Sequence, residues 1–249
     1  MFSKSIPRLD LQQRWTLLLG LQPASRFPGG LWPLLLCAAL LQALAGLLPY
    51  LAWFSWPALV YACGQVLRDP RSQASGHPPG ALVRGLLALC RRPLAWIPVL
   101  LYGMLGLIVF RGLGEAWRLL PPTGLLLPGA AGGLVPYTAS EATALLLIGS
   151  CSARLAMDHS DPLAIVGLGL RDLVCSPLSW LLLVLAEAIG FSNLALWAAT
   201  TWHQPWLATL LGHGPFALLA LAWACGQAPY RHHQAGLTRS ASRQRSADS

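Results

Sequence analysis

Residues 94–110 read LAWIPVLLYGMLGLIVF and carry no charged side chain. A helix that is apolar on every face must be buried in a large core or in a bilayer. Comparable runs occur in six places: about Leu31 to Leu48, Leu51 to Leu67, Leu94 to Phe110, Pro136 to Ala156, Leu178 to Ala198 and Pro205 to Gln227. A spanning helix takes about 20 mostly apolar residues. Charged residues are only 10% of the chain, against roughly 25% in an average soluble domain. The sequence therefore predicts an all-α integral membrane protein with six transmembrane helices. Pro57 and Pro215 fall inside these runs, which membrane helices tolerate because neighbours re-satisfy the freed backbone groups. The stretch WTLLLGL at 15–21 is too short for a signal peptide and is followed by Arg26, so the first span is the expected insertion signal.

Charge orients the spans. If the N-terminus is cytosolic, all seventeen Lys and Arg residues except Arg111 and Arg118 fall on the cytosolic side. That asymmetry follows the positive-inside rule and places both termini in the cytosol. The net charge of +8 thus reports topology and implies no nucleic acid. Arg far outnumbers Lys, a composition expected of a GC-rich bacterial genome, so the expected location is a bacterial inner membrane.

Two phrases repeat. ALVYACGQVLRD (58–69) and ALAWACGQAPYR (220–231) share six of twelve positions, including an unbroken A-C-G-Q. GLLALCRRPLAW (85–96) and GLRDLVCSPLSW (169–180) both fit G-L-x-x-L-x-x-x-P-L-x-W, and RFPGGLW (26–32) is a fainter third copy. The first phrase ends spans two and six, with Cys151 in IGSCSARLAMD at the equivalent place in span four. The second precedes spans three and five. The predicted architecture is three parallel-repeat helical hairpins, over about 31–67, 81–157 and 165–229, with short interfacial helices on the cytosolic side. Residues 1–30 form a cytosolic segment with an interfacial helix, and 230–249 a disordered basic cytosolic tail.

Each phrase has a bilayer role. In ALVRGLLALCRR (81–92), Leu82, Leu86 and Leu89 share one helical face and the arginines lie largely elsewhere, as in a helix lying in the headgroup layer. Pro93 and Pro177 suit the first turn of the next helix, and Trp96 and Trp180 suit the interface. These four residues make an interfacial corner. The small residues Cys63, Gly64, Cys151, Cys225 and Gly226 are candidates for close helix packing. Gln65 and Gln227 are candidates for hydrogen bonds between helices.

The chemistry-bearing residues are few. Glu187 sits near the middle of the fifth span. A charge there costs roughly 2.5–3.5 kcal/mol, while the ten Leu, Ile, Val and Phe of that span return about 3–6 kcal/mol. The span inserts, but Glu187 must face protein or water, and it is a transport or relay candidate. No second acid or base is expected at its depth, because Glu141 and Arg154 are placed nearer opposite ends of span four. Cys63, Cys151 and Cys225 would share one depth if the hairpins pack around an axis. No zinc-type spacing is present, and disulfides are not expected on a reducing side. Asp158, Asp161, Asp172 and His159 fit ordinary turn chemistry. His203 and His213 lie at the outer end, where GHGP (212–215) marks a kink or a late helix start. Residues 112–136 read as one long apolar outer loop. No catalytic motif, metal site or cofactor site is present.

The surface helix, the G-L-x-x-L-x-x-x-P-L-x-W corner and the paired spans together resemble uncharacterised bacterial six-span inner-membrane proteins, the YciC-like proteins and related domains of unknown function. The likeness covers about residues 26–229. It implies the six-span fold and no particular activity. Mitochondrial carriers also have three two-helix repeats, but their P-x-[DE]-x-x-[KR] motif is missing from PLAWIP and PLSWLL. The expectation from sequence is a non-enzymatic multi-pass protein in a structural or accessory role, with membrane lipid and another membrane protein as partners. The alternative is a small ion-coupled transporter or channel using Glu187.

Overall fold

A computed structural model describes residues 32–48, 50–68, 78–119, 131–157, 161–204 and 206–226. Among them every regular element is helical. In chain order these are α1 (Trp32–Ala45), α2 (Leu51–Arg68), α3 (Pro78–Cys90), α4 (Pro93–Leu119), α5 (Ala131–Met157), α6 (Pro162–Cys175), α7 (Pro177–Trp202) and α8 (Trp206–Gly226). Three of them are long and apolar enough to cross a membrane: α4 over Pro93–Ala116, α7 and α8.

The other long helices occupy a different place. α2 and α5 pack extensively on each other and lie at the centre of the bundle, their facing residues buried. Trp56, Val60, Ala62 and Cys63 on α2 meet a core that includes Leu146, Ile148 and Cys151 on α5. Their close approach depends on glycine. A Cβ at Gly64 would lie 2.6 Å from the Ala156 Cβ, well inside van der Waals contact. A Cβ at Gly149 would lie 3.1 Å from Trp56 Nε1, whose N–H instead donates to the Leu145 carbonyl at 2.8 Å. These helices carry Ser55, Gln65, Thr138, Glu141, Thr143, Ser150 and Ser152. Their lower hydropathy follows from position, since their neighbours are mostly protein. The outer helices show the complement. Leu94, Ile97, Leu101 and Ile108 on α4 are exposed, as are Leu181, Leu185, Ile189 and Trp197 on α7.

Several boundaries differ from the sequence expectation. α1 stops at Ala45, and Gly46–Leu48 form a turn, so the first apolar run is a shorter helix than a span from Leu31 to Leu48. The described parts of the outer loop expected over 112–136 are helix. α4 runs on to Leu119 and α5 has begun by Ala131; residues 120–130 lie outside the described set. The stretch Glu115–Leu119 contains good helix formers, and α4 ends near Pro121, which disfavours helical backbone in the residue before it. GHGP neither delays nor starts a helix: α8 begins at Trp206 and continues through Pro215. The N-terminal segment, the RFPGG part of the third corner copy, Asp158, His159, Gln227 and the basic tail lie outside the described residues.

The leucine face of α3 meets protein more than headgroups. It lies on α1 and α2, with Leu82 and Leu89 buried and Arg84, Arg91 and Arg92 exposed. Gly85 explains the close seat, because a Cβ there would come within 2.6 Å of the Ala62 carbonyl oxygen. Gly169, the matching residue of the second phrase, seats α6 on α5 in a similar way. Its added Cβ would lie 2.5 Å from Cys151 Sγ. The next helices start at the expected prolines. α4 begins at Pro93 and α7 at Pro177. Trp96 and Trp180 are half-buried and pack against the core.

Candidate functional site

Glu187 stands ten residues into α7, at a local change in helix winding. Residues Ala186–Phe191 form a π-helix turn between two α-helical stretches. Such turns contain an extra residue and often mark functional sites. The Ser192 N–H bonds to the Glu187 carbonyl five residues back, and Ser192 Oγ donates to the same oxygen at 2.7 Å. The backbone of the acid is thereby satisfied inside a wide turn.

Its side chain is 3% exposed and is not alone. His213 Nδ1 on α8 lies 3.1 Å from Glu187 Oε1. Glu141 on α5 is within electrostatic reach of both. This corrects the expectation that no second acid or base shares the depth of Glu187. Glu187 Oε2 is buried without a hydrogen-bond partner. A close α7–α8 contact holds the pair: a Cβ at Gly212 would lie 2.6 Å from the Ala195 Cβ and 3.3 Å from the Phe191 carbonyl oxygen.

The three groups line one cavity of about 460 Å³, built by α1, α2, α5, α7 and α8. Trp53, Trp56, Tyr137 and Phe216 supply aromatic walls. Trp53 is held against Phe110, with ring centroids 5.3 Å apart, and Phe110 meets Tyr137 edge-on at 4.9 Å. Gln42 on α1 also lines the cavity, but its polar ends are taken: Nε2 donates to the Ala52 carbonyl, and Oε1 accepts from Ser55 Oγ at 2.8 Å. His203 is elsewhere. It caps α7 with φ 53° and is exposed.

A second polar constellation lies at the far end of α5. Arg154 is 12% exposed and donates through Nε and Nη2 to the two carboxylate oxygens of Asp172, both at 2.6 Å. Ser150 Oγ donates to the same carboxylate at 2.7 Å. Asp172 is fully buried on α6, so this is a structural clamp and not a turn residue. Asp161 is the N-cap of α6, accepting from the Leu163 N–H. Gln65 Nε2 donates to the Ala156 carbonyl at 2.8 Å, joining the ends of α2 and α5.

The cysteines do not form one three-way cluster. Cys63 neighbours Cys225 and Cys37. Cys151 faces α6, with Sγ 3.9 Å from the Ile165 carbonyl and Gly169 opposite. The A-C-G-Q phrases belong to this packed end: Cys63, Gly64, Cys225 and Gly226 are all buried. Among the described residues no three His, Cys, Asp or Glu side chains are placed to hold a metal ion.

No family model, curated protein or solved structure matches the chain.

Proposed function

We propose that this is a small proton-coupled transporter of a bacterial inner membrane, with Glu187 and His213 as the proton-exchanging pair. The observation that carries the reading is their 3.1 Å contact inside a candidate spanning region, with Glu141 on the same cavity. An intramembrane ionisable residue is costly and by default functional. Here three such residues, from three different helices, meet at one cavity. A proton shared along the contact sits on His213 Nδ1 or on Glu187 Oε1, and exchange between them needs no side-chain movement of more than a bond length. A structural or accessory role, the first expectation from sequence, would need none of these groups.

The topology that goes with this function is six spans, α1, α2, α4, α5, α7 and α8, arranged as three parallel hairpins with both termini cytosolic. The buried setting of α2 and α5 supports it, because inner helices need less hydropathy than lipid-facing ones. The two glycine seats of α3 and α6 support the repeat. Asp172 neutralises Arg154, so Arg154 is no longer a free orienting charge; the other cytosolic-side arginines still outnumber Arg111 and Arg118. In this topology the cavity occupies the outer half of the membrane and the Arg154–Asp172 clamp the cytosolic half.

The test is proton flux into liposomes containing the purified full chain, driven by a potassium diffusion potential. The expected result is flux above that of protein-free liposomes, falling to the protein-free rate in Glu187→Gln. Flux in Glu187→Gln equal to that of the parent would overturn the assignment, as would no flux in the parent.

A further inference from the structure

A site that only passed protons would not need a cavity of about 460 Å³, a volume within the range of small-molecule pockets. Its lining has a defined charge. Among the described residues it holds Glu141, Glu187 and His213, and no Lys or Arg. Even with His213 protonated and both acids ionised, one negative charge is left unmatched. Several of the neutral polar groups are already engaged. Gln42 is bonded to α2 at both ends, Trp56 Nε1 to the Leu145 carbonyl, and Ser192 Oγ to the Glu187 carbonyl. Thr138 and Thr209 also have partners. Among the described residues of the lining, the buried side-chain polar atom without a hydrogen-bond partner is Glu187 Oε2. A buried carboxylate oxygen in that state is costly unless something positive meets it.

The walls indicate what that positive group is attached to. Trp53, Trp56, Tyr137 and Phe216 surround the acids. Aromatic faces attract cations, most strongly where water is excluded, and they also cover apolar bodies. A hydrated metal ion would gain little from such walls, and among the described residues no three His, Cys, Asp or Glu side chains are placed to hold one.

We infer that the cavity is the binding site of a small organic monocation, an amine or quaternary ammonium carrying an aromatic or alkyl body. Glu187 Oε2 is its counter-ion, Glu141 adds to the negative field, and the tryptophans hold its apolar part. This rests on the reading of Glu187 as the working group. It also suggests how coupling works: the cation and a proton compete for the same carboxylate, so binding of one releases the other.

Benzyltrimethylammonium is a suitable probe, because it cannot itself donate a proton and its charge is fixed. Equilibrium dialysis of the labelled probe against the full chain in nanodiscs should show one saturable site per chain. Benzylammonium should displace it, and benzoate should not. Glu187→Gln should weaken binding at least tenfold, and Glu141→Gln several-fold; the second variant alters a less buried group, so it reports even where the first perturbs folding. No saturable binding by the parent overturns the inference, as does unchanged affinity in both variants or equal displacement by benzoate. The two readings fail separately. Glu187-dependent proton flux without probe binding removes the organic cation alone. Glu187-dependent probe binding without flux removes proton coupling alone.

Discussion

The Arg154–Asp172 clamp allows a quantitative test of how the end of the bundle is held. Asp172 is fully buried and accepts two bonds from Arg154 and one from Ser150. Two effects compete in setting its worth. Single polar contacts between membrane helices average only about 0.6 kcal/mol. Removing one partner of a buried ion pair costs about 3–5 kcal/mol, because the other charge is left uncompensated. With Arg154 only 12% exposed, the second effect should win. Asp172→Leu is therefore expected to destabilise by about 3–5 kcal/mol, and Arg154→Met by a similar amount. The double variant Arg154→Met/Asp172→Leu should recover most of the loss, since an apolar replacement of a buried pair is often neutral. Unfolding by SDS in mixed micelles, followed by circular dichroism, measures all four proteins. Additive losses in the double variant would refute the reasoning, because additivity is the behaviour of sites that do not touch. A loss below about 1 kcal/mol in both single variants would refute it too, by showing that the isolated charge finds water.

Other contacts give simpler expectations. Gly85→Ala puts a Cβ against the Ala62 backbone, which cannot turn aside, and should cost about 1–3 kcal/mol of stability in the same unfolding assay. Gly169→Ala clashes with the Cys151 thiol, while Leu147 Cδ1 stays at an ordinary 3.5 Å, so it should cost less and be relieved by adding Cys151→Ala. Trp56→Phe leaves the buried Leu145 carbonyl without its 2.8 Å donor and should lower stability by about 1–3 kcal/mol. A phosphatase reporter fused after Ser249 should be inactive in cells, and one inserted at 120–130 active; the reverse pattern would remove the proposed orientation.

The three helices able to cross a membrane, α4, α7 and α8, are legible because they are long and apolar over most of their surface. α2 and α5 were legible as apolar runs, but their inner position was not, because it depends on which neighbours cover them. The site was half legible. Glu187 stood out as an acid within an apolar run. Glu141 and His213 were misplaced for a specific reason. A span starting at Pro136 leaves Glu141 near its end; α5 begins by Ala131, which puts Glu141 about 15 Å into the helix at 1.5 Å per residue. GHGP reads as a kink or a late helix start, which leaves His213 at the outer end; α8 begins at Trp206 and carries His213 about 10 Å into the helix. The available signal was simple: both residues are ionisable and lie in apolar runs, which is reason enough to count them. Their meeting depends on the relative heights of α5, α7 and α8, which no periodicity along one helix contains.

The π turn beside Glu187 separates fold from function in one experiment. The Ser192 N–H reaches back five residues to the Glu187 carbonyl. Gly190 lies between them, exposed, with nothing within 4 Å of an added Cβ. Deleting Gly190 leaves Ser192 four residues after Glu187, so the same bond would close an ordinary α turn. The buried faces on either side, including Val184 and Ala198, should keep their directions. Deleting Leu183 has no such absorbing bulge. It would rotate one half of α7 against the other by about 100° and turn apolar and polar faces the wrong way. The Gly190 deletion should therefore retain far more stability than the Leu183 deletion. Proton flux should nevertheless fall, because shortening the turn draws the Phe191 carbonyl away from Gly212, and that contact sets the spacing of Glu187 and His213. Equal destabilisation by the two deletions would show that the extra residue is not an inserted one. Undiminished flux in the Gly190 deletion would show that the wide turn is incidental to the acid it carries.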